Sequence, residues 1–212
     1  GMGSVYRCHN KHASRILAAI KLLDPAFQFH PEAKARFLRE AEILYTVDHP
    51  NVVKVSNVHL DARPPYLEME FVDGLALEDE LARKGFLPPE VAVDRARQLA
   101  SALRYLHLVD FGLAVEKGGE RITQVENANF GTVSYCPPEW GRKGQLDPAV
   151  WDLYALGVVL YEMLTGTVAF PVQPHEDPRH QMIQVMSDKQ LIEALDPGPR
   201  FHPELREVVR QL

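Results

Sequence analysis

The stretch Met69-Glu70-Phe71-Val72-Asp73-Gly74 marks a change of pattern, and the fold is read outward from it. Upstream, residues 66 to 72 and 51 to 58 read as two strands separated by the turn-rich Asp61-Ala62-Arg63-Pro64-Pro65. Farther upstream, Ile16 to Leu23 is an apolar run interrupted only by Lys21, and it follows the polar turn Asn10-Lys11-His12-Ala13-Ser14 as a strand follows a hairpin. Between these strands, Pro31 to Thr46 is rich in helix formers. Phe37, Ala41 and Leu44 stand at i, i+4 and i+7 and make one buried stripe, on which Glu40 also lies.

Downstream of Asp73-Gly74 the period becomes helical. Ala92, Ala96, Leu99, Leu103 and Leu106 recur at helix spacing after Pro88-Pro89, which predicts a long helix. A second buried helix is expected from about Asp147 to Leu164, with Leu153, Leu156, Leu160 and Leu164 on one face, Pro148 near its start and Gly166 past its end. The expected fold is α+β: a small strand-rich lobe with one helix over residues 1–72, a joint at 70–74, and a larger, mainly helical lobe over 75–212.

Bulk properties narrow the function. A chain of 212 residues with 46% hydrophobic composition can bury one substantial core or two small ones. A net charge of -6 argues against nucleic acid as a partner and leaves proteins or small molecules. Cys8 and Cys136 are far apart, which suggests neither a disulfide framework nor a thiolate metal site and fits a reducing, cytoplasmic setting. The most apolar run, Tyr154 to Tyr161, ends at Glu162, well short of a membrane span. The chain opens at Gly1-Met2-Gly3 inside what reads as a functional loop and closes at Leu212 inside a helical pattern starting near His202, so the expectation is a domain cut at both ends.

Taken one at a time, the chemically suggestive residues have ordinary readings. Gly1 and Gly3 suit a flexible turn as well as a phosphate cradle. Lys21 in an apolar strand could lay its stem on the surface and reach water with its head. Glu40 on an apolar stripe is less ordinary, because a buried carboxylate needs a cationic or hydrogen-bonding partner; Lys21 is a plausible one. Asp110-Phe111-Gly112 could be a turn. His175 and His180 around Glu176-Asp177-Pro178 lack a further ligand and read as a solvated loop. Thr123 could be a phosphorylation site or an ordinary exposed Thr, and Asp152 is read as capping or bracing backbone in the core.

Taken in order, these motifs resemble the Hanks-type serine/threonine protein kinases of bacteria over nearly the whole chain. Gly1-Met2-Gly3-Ser4-Val5-Tyr6 resembles the second half of a glycine-rich loop, Ala18-Ala19-Ile20-Lys21 the Val-Ala-Ile-Lys strand, and Arg39-Glu40 the helix glutamate. Met69 to Gly74 looks like gatekeeper plus hinge. Asp110-Phe111-Gly112-Leu113-Ala114 is similar to the metal-binding motif, and Gly131-Thr132-Val133-Ser134-Tyr135-Cys136-Pro137-Pro138-Glu139 to the end of an activation segment. The resemblance implies an ATP- and Mg²⁺-dependent domain acting on a protein substrate or partner. Lys21 would meet the α/β-phosphates while Glu40 holds it, and Asp110 would bind Mg²⁺. Gly1, Gly3, Val5, Ala19, Met69 and the backbone of Glu70 and Val72 would surround the nucleotide.

One departure decides how far activity follows. Between Tyr105-Leu106-His107 and Leu108-Val109-Asp110 the family places a His-Arg-Asp loop and a metal-binding Asn, and here no residue intervenes. The absent Asp would accept the substrate hydroxyl proton, a role worth about 10² to 10⁴ in rate. The expectation is a kinase-type domain that is inactive as written, or a pseudokinase-like module that binds nucleotide or protein. The gap reads as an internal deletion or a mis-joined gene.

Overall fold

In the computed structural model, which describes residues 3–13, 15–23, 31–110, 130–139, 147–173 and 177–212, Leu23, Phe37, Ala41 and Leu67 form the buried centre of the first of two compact units, Gly1–Gly74 and Leu75–Leu212. The first unit holds a four-stranded sheet in the order β1-β2-β4-β3, with β1 at Gly3–His9, β2 at Leu17–Leu23, β3 at Val55–His59 and β4 at Tyr66–Glu70. All three pairings are antiparallel. The turn between β1 and β2 is closed by the Asn10 side chain, whose Oδ1 accepts from the N–H groups of His12 at 2.9 Å and Ala13 at 3.2 Å, the local bonding that makes Asn a turn residue. Helix α1, Pro31–Thr46, packs Phe37 and Ala41 against Leu23 and Leu67 of the sheet.

The second unit is helical: α2 at Leu77–Lys84, α3 at Pro89–Asp110, α4 at Pro148–Thr165, α5 at Pro178–Gln190 and α6 at Pro203–Gln211, with a 3₁₀ helix at Phe130–Tyr135. The α+β expectation therefore holds. Helix α4 begins where the Asp147 carboxylate accepts from Ala149 N–H at 3.0 Å and ends at Gly166, whose φ of 69° no L side chain adopts comfortably. It serves two clusters at once. Leu156, Leu160, Met163 and Leu164 join Leu87, Ala92, Ala96, Phe201 and Val209, while Val158 joins Val133, Phe170 and Val185.

Two expected core positions differ. Leu99 is 40% exposed and Leu153 is 46% exposed. Helix α3 buries the small side chains of Ala92, Ala96 and Ala102 instead, which lets neighbouring backbone come close. On helix α4 the buried positions begin at Leu156, although Tyr154 already packs against the Val158 cluster. Among the described residues no helix is long and apolar enough to cross a membrane.

Candidate functional site

In an antiparallel ladder, directly opposed residues point to the same face of the sheet. Val5 stands opposite Lys21, Lys21 opposite Leu67, and Ala19 opposite Met69. Val5, Ala19, Lys21 and Met69 therefore share the face on which Leu23 and Leu67 pack against α1. Lys21 is half-buried there, while Val5 at the outer strand is 60% exposed. Glu40 lies in α1, between the buried Phe37 and Ala41 in sequence, and its side chain falls outside the described residues, as does Gly1. Gly3 to Tyr6 are not an open loop: Gly3 pairs with Leu23 and Ser4 with Leu22, so hydrogen bonding to β2 draws them into β1.

At the end of β4, Glu70 is committed twice. Its N–H donates to the Lys54 carbonyl at 2.9 Å, and its Oε1 accepts from Lys54 N–H at 2.9 Å. Val72, the other residue expected to meet the ring edge through its backbone, is exposed.

In the second unit, the sequence expectation ended a helix at His107 and opened a separate motif at Leu108. Instead α3 runs on to Asp110. Leu108 and Val109 follow His107 with no Gly, Pro or polar capping residue, so nothing stops the helical ladder. The Asp110 side chain and residues 111–129, which include the rest of that motif and Thr123, lie outside the described residues, as do His175 and Glu176. His107 Nε2 lies 2.9 Å from Asp152 Oδ2 on α4 without a hydrogen bond between them, so Asp152 sits beside a side chain of α3.

Sequence reasoning passed over two supports of the segment 133–139, Glu162 and Lys189. Glu162, buried on α4, accepts from the Tyr135 hydroxyl at 3.0 Å and from Ala169 N–H at 3.1 Å. Lys189 of α5 is 3% exposed and donates to the carbonyls of Val133 at 3.0 Å, Ser134 at 2.8 Å and Cys136. The run Ser187-Asp188-Lys189-Gln190 looks solvated. The available signal was Val185, one helical turn earlier, which is buried and carries position 189 inward with it.

For a nucleotide, one sheet face combining a small residue, two apolar residues and a half-buried ammonium is a suitable donor set. Asp110, the carboxylate expected to meet a divalent cation, has its side chain outside the described residues, and among the described residues no group of three or more His, Cys, Asp or Glu could hold a metal.

The chain belongs to the protein kinase domain family, whose model matches it in two segments, residues 1–109 and 107–212. It is 32% identical over 193 residues to the serine/threonine-protein kinase PrkC of Bacillus subtilis, covering 80% of this chain and 29% of that protein. It is 31% identical over 245 residues to PknB of Mycobacterium leprae and 30% identical over 247 residues to PknB of Mycobacterium tuberculosis, each match covering 94% of this chain and 38% of the relative. The chain thus spans less than two fifths of these curated relatives. An alignment of 245 positions exceeds the 212 residues of this chain, so the relative has residues with no counterpart here.

Proposed function

We propose that this is a serine/threonine-kinase-type domain whose N-terminal unit holds ATP through Val5, Ala19, Lys21 and Met69, and which as written does not transfer phosphate. The observation that carries this reading is the junction at His107. Helix α3 is continuous to Asp110, and the family model breaks into two matches that overlap at 107–109. In the family reaction a Ser or Thr hydroxyl oxygen bonds to the γ-phosphorus, the bond to the β–γ bridging oxygen breaks, ADP leaves, and the hydroxyl proton passes to a carboxylate. Bound Mg²⁺ would neutralise charge on the moving phosphoryl group. Lys21 would orient the α/β-phosphates with Glu40 holding it, and Asp110 would be the metal ligand. No residue stands between His107 and Leu108 to take the proton.

The same gap favours a second reading, a pseudokinase-like module that binds nucleotide or a protein partner without transfer. A radiolabelled ATP assay separates the two on the chain as written, a chain with a family-type loop inserted between His107 and Leu108, and that restored chain carrying Asp110→Ala. Transfer is expected from the restored chain alone. Robust transfer by the unrestored chain, abolished by Asp110→Ala, would overturn the proposal. Failure of the folded, restored chain would favour the binding module.

A further inference from the structure

Lys189 is a buried ammonium whose identified hydrogen-bond acceptors are all backbone carbonyls. Its Nζ reaches those of Val133, Ser134 and Cys136, which precede it by more than 50 residues, and it lies 4.9 Å from the Tyr154 ring centroid and 4.7 Å from that of Phe170. Three acceptors match the three N–H bonds of an ammonium, and two aromatic faces add cation–π attraction. The arrangement ties α5 to the last turn of the 3₁₀ helix, residues 133–136. That turn also rests on Ser134, whose hydroxyl donates to the Phe170 carbonyl at 2.8 Å.

We propose that Lys189 is the positioning residue for the Val133–Cys136 turn, and that its grip on all three carbonyls lasts only while the side chain is an ammonium, so that this turn loosens when the amine becomes neutral. The inference uses the kinase reading only to name the turn as the end of an activation segment.

The chemistry is a matter of counting hydrogens. A neutral amine carries two N–H bonds, so at least one of the three carbonyls must lose its donor on deprotonation. Burial brings Lys189 down from 10.5 to about 8, with the nearby Cys136 opposing that shift. The Cys136 thiol is itself pushed up by burial, and the Tyr154 phenol is pushed to about 12, chiefly by burial and then by Glu139. Asp188 on the same helix accepts from Gln184 at 2.9 Å. Glu139, Glu193 and Arg210 join Lys189 in lining a cavity of about 240 Å³, a path by which water can exchange the proton. Because the folded value lies below the unfolded one, linkage makes overall stability rise as pH climbs from about 8 towards 10.5. Local order at the turn and global stability are therefore expected to move in opposite directions, which a lysine that only filled space would not produce.

The test is carbonyl-carbon NMR of Val133, Ser134 and Cys136 in the intact chain, followed with the Lys189 side-chain nitrogen from about pH 6.5 to about pH 9.5, an interval that brackets the titration. One or more of the three carbonyl signals is expected to move with the Lys189 nitrogen, with a midpoint near 8, and to stay flat in Lys189→Met. Flat carbonyl signals in the folded wild-type chain would overturn the proposal, and so would a titration that persists unchanged in Lys189→Met. Should that variant not fold, the wild-type titration decides alone, since the side-chain nitrogen identifies the titrating group. The readout requires no phosphate transfer, so it fails or succeeds independently of the activity assay.

Discussion

Glu162, a carboxylate 9% exposed within the C-terminal unit, accepts the hydroxyl hydrogen of Tyr135 at 3.0 Å and so joins α4 to the 3₁₀ helix. Removing one partner of such a bond leaves the other desolvated and unmatched. Tyr135→Phe is expected to cost about 1–3 kcal/mol in a denaturant titration. Burial first, and then the neighbouring carboxylate, push the Tyr135 phenol up to about 12. The folded state therefore holds this proton longer than the unfolded chain, and the contribution is complete below 10 and lost as pH rises through about 12. Tyr154 is likewise pushed up to about 12, so in an ultraviolet titration Tyr135→Phe should remove one of two late-ionising tyrosines, and an unchanged late amplitude would assign that behaviour elsewhere.

Gly166 predicts the sharpest substitution effect. A Cβ there would stand 1.6 Å from the Gly85 carbonyl oxygen, in a backbone conformation with φ of 69°. Neither strain can relax without moving the turn whose Leu87 N–H donates to the Met163 carbonyl at 2.7 Å. Gly166→Ala is expected to lose more than about 3 kcal/mol or to leave the protein unfolded. Gly74→Ala, with nothing within 4 Å of the new atom, is the control and should stay within about 0.5 kcal/mol. Equal melting points for the two variants would contradict the close approach.

Acid sensitivity should centre on Asp196. Its carboxylate accepts from Arg206 Nε at 2.9 Å, from Gly198 N–H at 2.9 Å and from Arg210. The Arg206 guanidinium first, and then the Gly198 amide, hold it well below the usual carboxylate range. A depressed folded value means stability present above the unfolded value of 3.8 and lost as pH falls below it. Asp196→Asn should flatten the melting-temperature profile in that acid range. A profile as steep as the wild type would place the acid-sensitive group elsewhere.

Nucleotide binding can be tested without catalysis. A ligand at ten times its dissociation constant adds about 1.4 kcal/mol to the state it binds, or about 3–5 °C for a domain of this size. Mg·ATP is expected to raise the melting temperature of the wild-type chain by that order at saturation, and Lys21→Met to remove most of the shift. No shift at millimolar Mg·ATP, with a folded sample, would favour a protein-binding role.

Much of this fold is legible because periodicity reports burial. Phe37 and Ala41 mark the packed side of α1, and Leu156, Leu160 and Leu164 that of α4. Positions whose environment comes from distant chain are harder. Lys189 looks like a solvent residue because its partners lie more than 50 positions away, and Leu99 looks like core because a leucine at helix spacing normally is. The roles of Lys21, Glu40 and Asp110 rest on motif order, which records descent more than geometry. The continuation of α3 through Asp110 was hidden because the motif beginning there outweighed the helix-compatible Leu108 and Val109.

The pairing of β2 with β1 on one side and β4 on the other carries a constraint on how the gene can vary. Lys21 is placed twice over, opposite Val5 and opposite Leu67, and a single inserted residue within β2 would turn it to the opposite face along with every neighbour beyond the insertion. Among the described residues strand β1 pairs with β2 alone, where an extra residue can be absorbed as a bulge. The connection after it is closed by Asn10 and can lengthen freely. Insertions and deletions among descendants of this sequence should therefore collect in β1 and in residues 10–16, leaving the length of β2 fixed even where its side chains have diverged.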